Sequence, residues 1–211
     1  MAYYNYINRF GEVYSENPSN LSGKKTTEIN ANESFKLIND SSLYMNNGQI
    51  VVSAKDIKIY QSDIRNRNIW SKENVGVVKL NAVNNIQLND SDITVTSITA
   101  GNRGDIHISG ESFDSINSQI AIIDERKGIS GSVNLDFNES IKMVDSQVVS
   151  IGQSKLTRDT NGNDINIKSG ELLIKNSLIS GFVEGNGERG VTSLNISGCL
   201  LYTSPSPRDR G

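Results

Sequence analysis

The amino-acid sequence predicts an all-β fold, a right-handed parallel β-helix with coils of about 28 residues. Three observations carry that expectation. The chain holds 25 Ile, 13 Leu and only 6 Ala in 211 residues, and β-branched residues favour pleated strands where Ala would favour helix. A short Ser-centred element recurs along most of the chain. Between its copies lie brief segments of alternating apolar and polar residues, punctuated by Gly, Asn and Asp.

The repeat can be followed copy by copy. Its Ser element reads Asp40-Ser41-Ser42-Leu43, Gln61-Ser62-Asp63-Ile64, Asp90-Ser91-Asp92-Ile93, Asn117-Ser118-Gln119-Ile120, Asp145-Ser146-Gln147-Val148 and Asn176-Ser177-Leu178-Ile179. Successive Ser residues are 21, 29, 27, 28 and 31 positions apart. Ten to thirteen residues ahead of the Ser stands an aliphatic pair with one residue between: Ile50/Val52, Val78/Leu80, Ile106/Ile108, Val133/Leu135 and Ile165/Ile167. Ile29/Ala31 is read as the first copy and Leu194/Ile196 as the last. Gly48, Gly76, Gly104, Gly131 and Gly190 precede their pairs.

A third segment separates pair and Ser, as in Ile57-Lys58-Ile59, Ile86-Gln87-Leu88, Ile141-Lys142-Met143 and Leu172-Leu173-Ile174. Each is a period-2 strand too short to bury its inner face alone. Coiling stacks equivalent residues at ~4.8 Å, turning the aliphatic positions into continuous core columns. The Ser shares the parity of the aliphatic residue two places on, so it faces inward. Length varies between one repeat and the next pair, as at Thr157-Arg158-Asp159-Thr160-Asn161, where insertions are tolerated as loops. The expected organisation is an irregular leading segment or partial coil over 1–22, then six to seven coils over 23–198.

Residues 199–211 read as non-native. Cys199–Asp209 spells CLLYTSPSPRD, the string obtained by translating the transposon-end adapter of shotgun sequencing libraries. It contains the chain's single Cys and two of its three Pro. The remaining body has no thiol for a disulfide or a thiolate metal site.

Several function classes lose their footing. Formal net charge is −3 with both signs interspersed, which offers no basic surface for nucleic acid or anionic lipid. No run approaches the ~20 apolar residues of a membrane span. Met1-Ala2-Tyr3-Tyr4-Asn5-Tyr6 is not a signal peptide, so an exported chain would be a fragment.

Gly101-Asn102-Arg103-Gly104-Asp105-Ile106-His107-Ile108, followed by Asn117-Ser118-Gln119-Ile120, resembles the repeats of filamentous-haemagglutinin-like proteins. Gly131-Ser132-Val133-Asn134-Leu135 and Asn163-Asp164-Ile165-Asn166-Ile167 echo it, and the resemblance runs over about Gly23–Gly198. It implies a large bacterial exoprotein of the two-partner secretion route, acting in adhesion or aggregation. Expected partners are an outer-membrane transporter, engaged through a secretion domain, and receptors or glycans on host or neighbouring cells. The expected location is secreted or on the bacterial cell surface. Secretion domains of that family carry Asn-Pro-Asn-Leu and Asn-Pro-Asn-Gly-Ile. Asn17-Pro18-Ser19-Asn20-Leu21 is the nearest string here and does not match, which places this piece in the shaft.

Candidate site residues are few. Arg103-Gly104-Asp105 is an integrin-type tripeptide, but Gly104 is the repeat's turn glycine and Asp105 opens a strand. Asp63 and Asp92 should stack outward on adjacent coils about 5 Å apart, where two carboxylates need a cation or a basic side chain between them. A calcium ion there would need six or more oxygen ligands. His107, the single His, lies between two inward Ile and so faces out, in a column read as Asn30, Val51, Lys79, His107, Asn134, Asn166 and Asn195. Asp124-Glu125-Arg126-Lys127 reads as a solvated charged loop. No Ser/His/Asp set, His/Cys metal cluster or phosphate-binding glycine loop is present in the sequence. Catalytic, cofactor-binding and metal-binding residues are therefore expected to be none. The expected function is a structural shaft segment of a filamentous adhesin, without catalysis. The alternative is a polysaccharide-active β-helix lyase or hydrolase, for which only Asp63 and Asp92, with Lys58 and Arg65 nearby, are on offer.

Overall fold

The computed structural model describes residues 6–7, 13–14, 26–46, 48–68, 76–97, 104–124, 131–153, 163–184 and 190–203. These residues are strands and turns, with no helix among them. Tyr6–Ile7 (β1) and Val13–Tyr14 (β2) pair antiparallel. Every later pairing is parallel, between a strand and its equivalent one coil away.

The first coil is β3 (Thr26–Asn30), β4 (Ser34–Ile38) and β5 (Ser42–Asn46). The next is β6 (Gln49–Ala54), β7 (Asp56–Tyr60) and β8 (Asp63–Asn68), followed by β9 (Gly76–Ala82), β10 (Asn85–Asn89) and β11 (Asp92–Ser97). In the two coils after that, the first two faces are threaded by one long bent strand. These are β12 (Gly104–Ile116) with β13 (Gln119–Asp124), and β14 (Ser132–Val144) with β15 (Gln147–Gln153). Then come β16 (Asp164–Ser169), β17 (Glu171–Lys175) and β18 (Leu178–Glu184), and finally β19 (Thr192–Ile196) and β20 (Leu200–Thr203). The product is a β-solenoid with a spacing of about 28 residues and three sheet faces.

The core is the set of inward columns. On the first face Ile50, Val78, Ile106, Val133 and Ile165 align, two residues ahead of Val52, Leu80, Ile108, Leu135 and Ile167. The second face contributes Phe35, Ile57, Ile86, Phe113, Ile141 and Leu172. The third contributes Leu43, Ile64, Ile93, Ile120 and Val148. All of these are buried, each worth about 1.5–3 kcal/mol relative to exposure. Phe113 and Phe137 stack with centroids 5.2 Å apart. Phe137 lies opposite Gly110, where the pairing of β12 with β14 shifts by one residue.

Two ends of the first-face series depart from the sequence expectation. Ile29 pairs with Val52, not with Ile50, and Leu194 pairs with Ile167, not with Ile165. The inward pairs at the ends are therefore Thr27/Ile29 and Thr192/Leu194. The outward column through His107 correspondingly runs Glu28, Val51, Lys79, His107, Asn134, Asn166, Ser193, without Asn30 or Asn195. A shift of two residues preserves the inside–outside parity, so the aliphatic pattern alone cannot detect it.

Pairing also reaches past residue 198. Leu200–Thr203, expected to lie outside the fold, form β20 against Leu172–Lys175 of β17. The edge of the preceding coil offers unpaired N–H and C=O groups, and an extended string that lies along it satisfies them. Leu200, Leu201 and Tyr202 are more than half exposed even so.

Glycine is forced at one corner by the closeness of adjacent coils. A Cβ on Gly131 would overlap the carbonyl oxygen of Gly104, and one on Gly104 would come within 2.5 Å of Val95 Cγ1. At Gly181 the nearest atom would be 4.0 Å away. Gly131→Ala should lower the unfolding free energy by about 3 kcal/mol, whereas Gly181→Ala should change it by less than about 0.5 kcal/mol. Chemical denaturation of the two variants checks the contrast.

Candidate functional site

The Ser elements form the most regular polar feature of the molecule. The residue before each Ser is in the left-handed region: Asp40, Gln61, Asp90, Asn117, Asp145 and Asn176 have φ between 47° and 58°. That conformation turns the chain sharply, and Asn and Asp tolerate it better than other side chains. The Ser then turns inward. The backbone N–H of Ser41 donates to Ser62 Oγ (3.2 Å), that of Ser62 to Ser91 Oγ (3.2 Å), and that of Ser91 to Ser118 Oγ (3.1 Å). Ser118 donates likewise to Ser146 Oγ (3.3 Å), and Ser146 to Ser177 Oγ (2.9 Å). From Ser62 onward each hydroxyl donates to the carbonyl two residues before it in its own coil, at 2.7–2.9 Å. The column is a scaffold in which these backbone groups and hydroxyls are mutually satisfied, not a set of free nucleophiles.

Asp63 and Asp92 do stack in register one coil apart. Arg65, on the same strand as Asp63, supplies a compensating positive charge, with Nη2 2.7 Å from Asp63 Oδ2. The backbone N–H of Asp92 donates to Asp63 Oδ1 at 3.2 Å. Burial raises the pKa of Asp92, and Asp63 raises it further, while Arg65 and the backbone N–H of Gln119 pull it down. Asp40, Gln61, Ser62, Asp63 and Asp90 line a shallow polar depression beside this pair. Among the described residues no group of three or more His, Cys, Asp or Glu is arranged to hold a metal ion.

The integrin-type tripeptide is placed unfavourably. Arg103 lies outside the described residues. Gly104 is buried, and Asp105 is 8% exposed. Asp105 Oδ1 accepts hydrogen bonds from both the backbone N–H and the hydroxyl of Ser132, at 2.9 and 3.0 Å. A carboxylate so engaged is part of the corner between coils.

His107 faces outward and is half-buried. Its Nδ1 lies 3.2 Å from Asn134 Nδ2. Asn134 Nδ2 also donates to Ser132 Oγ, and Asn166 Nδ2 donates to Asn134 Oδ1 at 3.0 Å. The outward face here is an amide ladder spanning three coils. Tyr60 Oη similarly donates to Gln87 across coils on the second face, and Lys168 pairs with Asp136.

One expectation is overturned. Asp124, read as part of a solvated charge run, is 4% exposed. Glu125, Arg126 and Lys127 lie outside the described residues. Asp124 follows Ile120 and Ile122 at the same parity, so it points into the solenoid. That parity was available in the sequence, and the adjoining charges obscured it. Asn66, Ser97, Ser150 and Asn163 are buried near the same corner, where polar residues take over the end of the third-face columns.

Comparison of the chain with protein-family models, with curated proteins and with solved structures gives no match. The geometry described above therefore carries the functional reading.

Asp105→Ala should cost about 1–3 kcal/mol of stability through the stranded Ser132 donors. It should leave attachment of integrin-bearing cells to the immobilised protein unchanged. A loss of attachment with stability retained would restore the tripeptide as a receptor site.

Proposed function

We propose that this chain is a shaft segment of a secreted bacterial filamentous adhesin, a rod that positions binding regions of a larger protein and performs no catalysis. The observation that supports it most is the uninterrupted stacking of equivalent residues. Core columns and the Ser ladder run from coil to coil, and the outward polar groups described above are spent on ladders between coils. Such a structure transmits length and stiffness because each coil contacts only its neighbours. The Gly-Asp-Ile-x-Ile and Asn-Ser-x-Ile strings, with their likeness to filamentous-haemagglutinin-like repeats, support the finer reading. On that reading the parent protein reaches the cell surface through an outer-membrane transporter, and its partners are receptors or glycans on host or neighbouring cells.

The polysaccharide-active alternative requires acids, or acids with bases, converging on one cleft. Arg65 and Asp63, which it would need, are paired with each other.

Replacing an equal length of shaft in a filamentous exoprotein with residues 23–198 should preserve surface display and filament length. A rod that is blocked in export or visibly kinked in electron micrographs would contradict the proposal, as would release of unsaturated or reducing ends from acidic polysaccharides by the purified chain.

A further inference from the structure

The corner between the third and first faces is built differently from the Ser corner. It carries polar side chains inside the solenoid, and Asn163 joins them across coils. Asn163 precedes β16; its Oδ1 accepts a hydrogen bond from the backbone N–H of Gly131, and its backbone carbonyl accepts from Ser150 Oγ at 3.1 Å. Its side chain also approaches the Asp124 carboxyl closely enough to favour the ionised form. Yet Asp124 Oδ1 and Asn163 Nδ2 are both buried without completing a hydrogen bond. A buried carboxyl with an unpaired oxygen is costly when charged and far less so when neutral.

We propose that Asp124 makes this corner a proton-operated latch: with its carboxyl neutral the neighbouring coils close across Asn163, and on ionisation the corner loosens. The surroundings define the charge balance. β11 places Ser97 beside Asp124 and β15 places Gly152 there. Asp105, at the start of β12, is the charged group among the described residues that acts on it, and it is of like sign. Burial pushes the pKa of Asp124 from 3.8 up to about 7; the Asn163 contact lowers it, and Asp105 raises it. A folded-state value above the unfolded one means that the contribution to stability is complete below the ordinary carboxylate range. It is lost as pH rises through about 7. The effector is thus the proton itself, acting near neutrality on this corner, whereas the Ser corner is held by hydroxyl and backbone bonds that do not titrate.

Amide hydrogen exchange, corrected for the intrinsic rate at each pH, reads the latch at the Gly131 N–H. Between about pH 5.5 and about pH 8.5, protection there should fall about tenfold or more in the wild-type chain, with little change at Ser62 or Ser91. In Asp124→Asn the fall should vanish. Equal protection at both pH values in the wild type would overturn the proposal, as would an equal fall in the variant. If the variant does not fold, carbon-13 titration of the Asp124 carboxyl in the wild type decides. A midpoint near 7 is expected, and one near 4 would overturn the latch.

Discussion

A parallel β-helix has to turn its chain back onto itself at the same place in every coil, and the Ser corner is where this molecule solves that constraint. The turn needs a residue in the left-handed region, a conformation costing about 1 kcal/mol or more for a non-glycine residue. Asp90, Asn117, Asp145 and Asn176 accept it, and so does Gln61, which has no special aptitude for it. The following Ser offsets the cost. Its hydroxyl accepts the N–H of the Ser in the coil before and donates to its own chain two residues back. Every later position inherits this alignment. Leu43, Ile64, Ile93, Ile120 and Val148 form one column because each stands two residues beyond a Ser held in register.

The opposite corner works by different means. There the coils approach so closely that Gly131 has no room for a side chain above Gly104. Chain length between the third and first faces also varies most at this corner. Two residues separate β5 from β6, and seven separate β8 from β9. Polar groups inside it bond irregularly: Asn163 accepts from the Gly131 N–H and from Ser150 Oγ, while Asp124 Oδ1 and Asn163 Nδ2 have no hydrogen-bond partner. One corner of the rod is therefore uniform and fully satisfied, and the other is varied and partly unsatisfied. Any regulated behaviour of the solenoid belongs at the second.

Most of the fold was legible because two independent periodicities agreed. Alternation within strands fixed which residues face inward, and the spacing of Ser fixed the coil. Where only alternation was available, at Ile29 and Leu194, the register slipped by two residues with parity intact. The candidate site was less legible. Asp63 and Asp92 could be placed next to each other from the repeat alone, and Arg65 beside them supplied the compensating charge. Asp124 was misjudged because its neighbours in sequence are charged. Its contact with Asn163 comes from a residue 39 positions away, beyond one full coil and the connecting segments on either side of it, a juxtaposition that no local pattern encodes.

If corners and not aliphatic matching set the register, the first coil is the place to measure it, because there the two criteria disagree. In a Cys199→Ser background, the double variant Glu28→Cys/Val51→Cys places the two thiols on directly paired residues, about 4.8 Å apart along the stack. That spacing suits a disulfide. Asn30→Cys/Val51→Cys places them two residues out of step. Mild oxidation should close the first pair nearly completely and leave the second open. Closure of the Asn30/Val51 pair in preference to Glu28/Val51 would contradict the corner-set register on which this account rests.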